Sequence, residues 1–247
     1  MRLTSFYRKL LIAIVGFIAW LPPQTFAAEI IPQEQIQIYA SRATSSLLLL
    51  RGEGFQEVHK QRLDSDLAAL AAAMSQVEQP SAELTASHAA LVTQLQNGVS
   101  YGPGDENVPW RYPEDLSKSL REFLHAARQQ PSEAHSELPA KIEYLSVQYL
   151  SRSYMGTFEI AREQPDTYLG QDERQLVPDI DQELAKLAKT DTPAALKLHA
   201  RWEYLKAALT DMNSKSNTLQ SVSGRPFAPI TVDRHSRVLT QNWMAMQ

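Results

Sequence analysis

Cysteine is absent from all 247 residues. This excludes a disulfide framework, a thiolate metal site and covalently attached haem, even in an oxidising compartment. Basic clusters are missing too, and the formal net charge is −4. An acidic chain without a basic patch argues against nucleic acid and anionic membrane as main partners. Alternating apolar–polar runs, the mark of half-buried strands, are almost absent. After the N-terminal region no apolar run approaches the ~20 residues that a membrane-spanning helix needs. The chain has no G-x-S-x-G, no H-E-x-x-H and no P-loop. Its six histidines are scattered, and none has another at i+3 or i+4. Carboxylate pairs such as Asp64/Asp66 and Asp179/Asp181 stand two apart, so they point to different helix faces and read as solvated charges. Nothing assembles a nucleophile with a base. The expectation is a non-enzymatic protein with no metal site and no cofactor.

What is present begins with the N-terminus. Arg2, Arg8 and Lys9 precede the apolar stretch Leu10–Leu21, and small residues at Ala27 and Ala28 follow Pro22 and Pro23. That order of basic, apolar and small residues is the pattern of a secretory signal peptide. The reading is a cleaved segment over residues 1–28 and a periplasmic protein of the bacterial envelope. Removing three bases and no acid takes the formal charge from −4 to −7.

Helical spacing dominates the remainder. Leu63, Leu67, Leu70, Met74 and Val77 form one apolar stripe, and Leu116, Leu120, Phe123 and Ala127 another. Leu176, Ile180, Leu184 and Leu187 form a third, and Ala195, His199, Trp202, Leu205, Leu209 and Met212 a fourth. Ser81, Pro113 and Asp191–Pro193 are helix-start signals. The spacing predicts helices over 33–51, 55–78, 81–98 and 113–129, then 137–163, 171–189, 192–220 and 231–247. The fold class is all-α: two tandem antiparallel helical bundles of about four helices each, over 29–130 and 131–247.

The halves share features. "YASR" (Tyr39–Arg42) and "YLSR" (Tyr149–Arg152) lie 110 positions apart. His88 and His199 keep nearly the same offset, and Pro109-Trp110-Arg111-Tyr112-Pro113 is echoed by Pro226-Phe227-Ala228-Pro229. An internal repeat follows. In each Tyr-x-Ser-Arg the Tyr and Arg are one turn apart on a packing face. A guanidinium beside an apolar stripe needs a partner, either an internal carboxylate or an external anion that fits its donor fork. Arg42, Arg152, Tyr39 and Tyr149 are therefore the candidate ligand-binding residues. Trp110 and Tyr112, in the Gly- and Pro-rich break at 95–113, are the candidate partner-binding residues.

"IYASRATSSLLLL" and "YLSRSYMGTFEIA" resemble the first helix of the PilJ-type domain, the periplasmic bundle of pilus chemotaxis-type transducers. That domain is related to the nitrate/nitrite sensor bundle of NarX. Met155 near the second motif and Trp202 on a later helix add to the likeness. Ser41 and Ser151 stand where the family has glycine before the arginine, and Ala43 and Ser153 follow it where the family has Met. The resemblance implies a sensor-like or ligand-binding accessory protein, with Arg42 and Arg152 at an anion site on a dimer interface. Its partners would be a small anion, a second copy of the chain, and a membrane-bound sensor, transducer or envelope protein. A structural or adaptor protein of the envelope with no small ligand is the alternative.

Overall fold

In the computed structural model, the residues described are 31–131, 136–210, 212 and 228–246. The segment read as a signal peptide, the start of the second Pro-aromatic-Pro connection and the helix expected beyond 210 lie outside them. Among the described residues all regular structure is helical. The helices are α1 (Pro32–Gly52), α2 (Glu57–Ser75), α3 (Ala82–Ser100), α4 (Tyr112–Arg128), α5 (Leu138–Tyr154), α6 (Glu173–Ala188), α7 (Pro193–Thr210) and α8 (Pro229–Met244), with a 3₁₀ turn at Tyr168–Gly170. No described helix is long and apolar enough to cross a membrane.

Local chemistry starts most of these helices. The Ser81 hydroxyl accepts from the Leu84 amide at 3.1 Å, and the Asp172 carboxylate accepts from that of Arg174. The Thr192 hydroxyl accepts from the Ala195 amide at 3.2 Å. Proline stands in the first turn of α1, α4, α5 and α8, where its missing N–H costs no intrahelical bond.

Two boundaries differ from the periodicity. α5 stops at Tyr154, short of the expected 163, because Gly156 turns the backbone to φ +76°. α3 runs through Gly98, where a break was expected. There a Cβ would collide with the Tyr112 hydroxyl and Leu47, so the missing side chain is what lets α3 close on α1 and α4.

α1 and α5 form the centre. From Ile36 to Leu50 and from Leu138 to Ser151 nearly every residue is buried. A helix buried on all sides is ordinarily apolar all round. These two instead bury Gln37, Arg42, Ser45 and Ser46, and Glu143, Ser146 and Gln148. They run parallel: Arg42 meets Glu143 in their middles, and Tyr154 packs against Gly52 and donates to the Glu53 carboxylate at their C-terminal ends. α8 runs antiparallel to both, with Thr240 facing Arg42 and Glu143. α2 covers α1, α3 packs on α4, and α6 on α7. The described residues between 31 and 246 form one compact unit.

Replacing Gly98 with Ala should lower stability by about 1–3 kcal/mol, the usual cost of overpacking. Urea unfolding followed by helical circular dichroism reads the change, and an unaltered midpoint would show that α3 has room at this point.

Candidate functional site: a buried ion network and a cleft at the bundle end

Arg42 is buried and bound through Nε and Nη2. Its Nε donates to Glu143 Oε1 at 2.7 Å and its Nη2 to Thr240 Oγ1 at 2.7 Å. The Thr240 hydroxyl in turn donates to the same Glu143 oxygen at 2.5 Å. Half-buried Tyr39, one turn back, sets its ring 5.7 Å from the guanidinium. Beside this cluster, Arg237 grips Asp66 through two parallel bonds of 2.9 and 2.8 Å. It also donates to Asp233 at 3.0 Å, to Ser46 Oγ at 2.9 Å and to the Arg42 carbonyl at 2.8 Å. Arg62 closes on the other oxygen of Asp233. Three guanidinium groups thus face three carboxylates drawn from α1, α2, α5 and α8. Burial alone would depress the Arg237 pKa. The Asp233 and Asp66 charges outweigh it and hold the group above its ordinary range.

Arg152 lies near the end of α5 and donates to Glu173 Oε2 at 3.0 Å, at the start of α6. Tyr149 is fully buried. Both Tyr-x-Ser-Arg arginines therefore meet an internal carboxylate. Asp66, read from the sequence as a solvated charge, is 8 % exposed and tied to Arg237 and Ser46. The spacing held the clue. The buried positions of α2 are His59, Leu63, Asp66, Leu70 and Ala73, so Asp66 stands on the apolar stripe in the place given to Leu67. Glu143, Asp233, Arg237 and Thr240 were not singled out either; apart from the Arg237–Asp233 pair within α8, the side-chain partners that tie them into the network lie 97 to 198 positions away in the chain.

The two candidate partner-binding residues part company. Tyr112 is 1 % exposed, with its hydroxyl donating to the Gln94 carbonyl at 2.9 Å and its ring edge-on to Tyr101. Trp110 is 84 % exposed, with only the Arg111 guanidinium stacked 5.5 Å from its ring. It stands on the rim of a cleft of about 710 Å³. The C-terminal ends of α1 and α5, the start of α4, the start of α8 and the 101–111 loop all contribute walls. Leu48, Val108, Met155 and Ile230 give them apolar surface, and Arg51, Glu53, Asp105 and Ser153 give them polar groups. Arg51 is held by the Gly98 and Gly102 carbonyls at 2.7 and 3.0 Å. The volume is that of a small-ligand or peptide cleft.

The two histidines of the repeat, His88 and His199, have other neighbours. His88 packs on Phe123 at 5.8 Å, and His199 reaches Glu203 at 3.8 Å. No cluster of three or more metal-ligating side chains occurs among the described residues. Comparison of the chain with protein-family models, curated proteins and solved structures finds no match.

At the opposite end, Glu34 is buried on α1, and burial together with the nearby Glu137 charge raises its pKa from 4.5 to about 7. Glu137 itself is bound by Arg128 at 2.5 Å. A carboxyl that holds its proton more tightly when folded stabilises least at high pH. Stability tied to Glu34 should therefore fall as pH rises from about 4.5 to 7, and the loss is complete above 7. Glu34→Gln should match the parent in melting temperature at pH 4.5 and exceed it by a few degrees at pH 8. An equal gap at both pH values would place the carboxyl in water.

Removing the Arg237 guanidinium while its carboxylates stay buried should be severe. Arg237→Met is expected to cost about 3–5 kcal/mol in urea unfolding. Adding Asp66→Asn and Asp233→Asn should recover part of that loss. A loss under ~1 kcal/mol would mean that the network is open to solvent.

Proposed function

We propose that this protein is a non-catalytic helical binding protein of the bacterial envelope, an adaptor that holds part of a partner protein in the cleft beside Trp110. The carrying observation is Trp110 itself, 84 % exposed on the rim of a cleft of about 710 Å³ built from the ends of four helices. Indole is a large amphipathic anchor, and such residues centre protein interfaces when a partner covers them. The envelope assignment rests on the order of basic, apolar and small residues across 2–28.

A small-anion sensor is the less well supported reading. An anion at Arg42 would have to displace Glu143 at 2.7 Å, leaving that carboxylate buried without its cation. Arg152 presents the same difficulty through Glu173.

The tandem bundles, 29–130 and 131–247, belong to the same reading. In each half the first helix touches the other three and the third packs on the fourth. The two first helices, which carry Tyr-x-Ser-Arg, lie side by side. On this reading the α1–α5 contact takes the place that a dimer interface holds in PilJ-type and NarX-type bundles, and no second copy is needed to complete it.

Affinity purification of the full chain from solubilised envelopes, with mass-spectrometric identification, tests the proposal. One envelope protein should co-purify in near-equal amount and be lost with Trp110→Ala, whose melting temperature should match the parent. Nitrate, nitrite and phosphate up to millimolar concentration should leave that temperature unchanged. A saturable rise abolished by Arg152→Ala would instead favour the sensor, since a ligand of the native state stabilises it by RT ln(1 + [L]/Kd).

A further inference from the structure

The walls of the cleft narrow what it can hold. Four prolines line it: Pro103, Pro109, Pro113 and Pro229. Proline offers no backbone N–H, so at these four positions the walls cannot donate to a ligand strand. Recognition falls to side chains. Trp110 supplies an exposed aromatic face, Tyr154 a second ring deeper in, and Met155 and Ile230 apolar surface between the helix ends. The Trp110 indole is the side-chain donor left for a ligand, since the Ser153 hydroxyl donates to the Tyr149 carbonyl at 2.7 Å.

Charge gives the second constraint. Asp105 is fully exposed and pairs with Arg51 across a long 3.7 Å. Glu53 accepts the Tyr154 hydroxyl through one oxygen. Arg51 is already turned onto the Gly98 and Gly102 carbonyls. α1 and α5 both end here, and a helix C-terminus carries partial negative charge. The start of α4 carries Glu114 and Asp115, which offset the positive end of its dipole. The start of α8, with no acid in its first turn, and Arg111 against Trp110 are the opposing positive features. The balance at the rim favours a cation.

Resting on the binding reading above, we infer that the occupant is a proline-rich peptide segment in the polyproline II conformation, carrying a lysine or arginine beside its prolines. Such a segment has no internal hydrogen bonds and displays carbonyl acceptors around a stiff apolar rod. Aromatic grooves take it at low entropic cost, because it is extended before it binds. Its prolines would stack on Trp110 and Tyr154, and its basic side chain would reach Asp105 and Glu53.

The test uses the full-length protein and fluorescein-labelled decapeptides read by anisotropy. One peptide is proline-rich with a single lysine, the second has that lysine replaced by glutamate, and the third has its prolines replaced by valine. The first should bind saturably, and the other two at least tenfold more weakly. Trp110→Ala should weaken the first peptide at least tenfold with an unchanged melting temperature. Asp105→Asn with Glu53→Gln should abolish the preference for lysine over glutamate. Absence of saturation up to millimolar peptide, equal affinity for all three, or undiminished binding by Trp110→Ala would each overturn the inference. If the envelope partner is still captured through Trp110 while the peptides fail, the peptide class alone is wrong. If that capture fails as well, the binding reading falls with it.

Discussion

The fork of Arg237 on Asp66, joined through the Arg42 carbonyl to the Arg42–Glu143–Thr240 cluster, is the constraint on which the rest of this structure depends. Apolar packing is non-directional and would allow four helices to slide past one another. Buried guanidinium groups do not allow it. Each needs a carboxylate at hydrogen-bonding distance, and the carboxylates come from α2, α5 and α8 while Arg42 and Ser46 come from α1. Desolvation offsets much of the attraction in such a network, so its main effect is on register rather than on net stability. It also explains how two central helices can be buried all round and still be polar.

The same network redirects attention within the molecule. With Arg42 engaged by Glu143 and Arg152 by Glu173, the proposed reading puts recognition at the bundle end. Because α1 and α5 are parallel and locked in register, their C-termini arrive at one level, where Tyr154 packs over Gly52. α8, antiparallel to both, begins at that level, and so does α4. Four helix ends and the 101–111 loop therefore frame a cleft that none of them would form alone. On the proposed reading, the internal ion pairs hold a rigid frame and the exposed indole makes the contact.

Much of the fold was legible in the sequence. Helix starts at Ser81, Pro113 and Pro193 follow from capping and proline rules that act over a few residues. The exposure of Trp110 was legible because an indole in a Gly- and Pro-rich break has no helix stripe to join. What stayed hidden was non-local. That the arginines needed partners followed from burial, but Glu143 is 101 positions from Arg42 and nothing short-range connects them. The burial of Asp66 was masked by Leu67 beside it, which fits the apolar stripe equally well by spacing. Tyr112 and Trp110 differ by two positions and read alike, yet the first turn of α4 carries one into the core and leaves the other in water. The end of α5 at Tyr154 was set by Gly156 two positions further on, a stop the surrounding apolar spacing concealed.

The Tyr-x-Ser-Arg arginine Arg42 serves the interior through Glu143. A double-mutant cycle between Arg42→Met and Glu143→Gln, read by urea unfolding of the full chain, measures it directly. Each single change should be strongly destabilising. The pair should be less so than their sum, with a coupling of about 1–3 kcal/mol. Additive losses, with no coupling between the two positions, would contradict the account and return Arg42 to the search for an external anion.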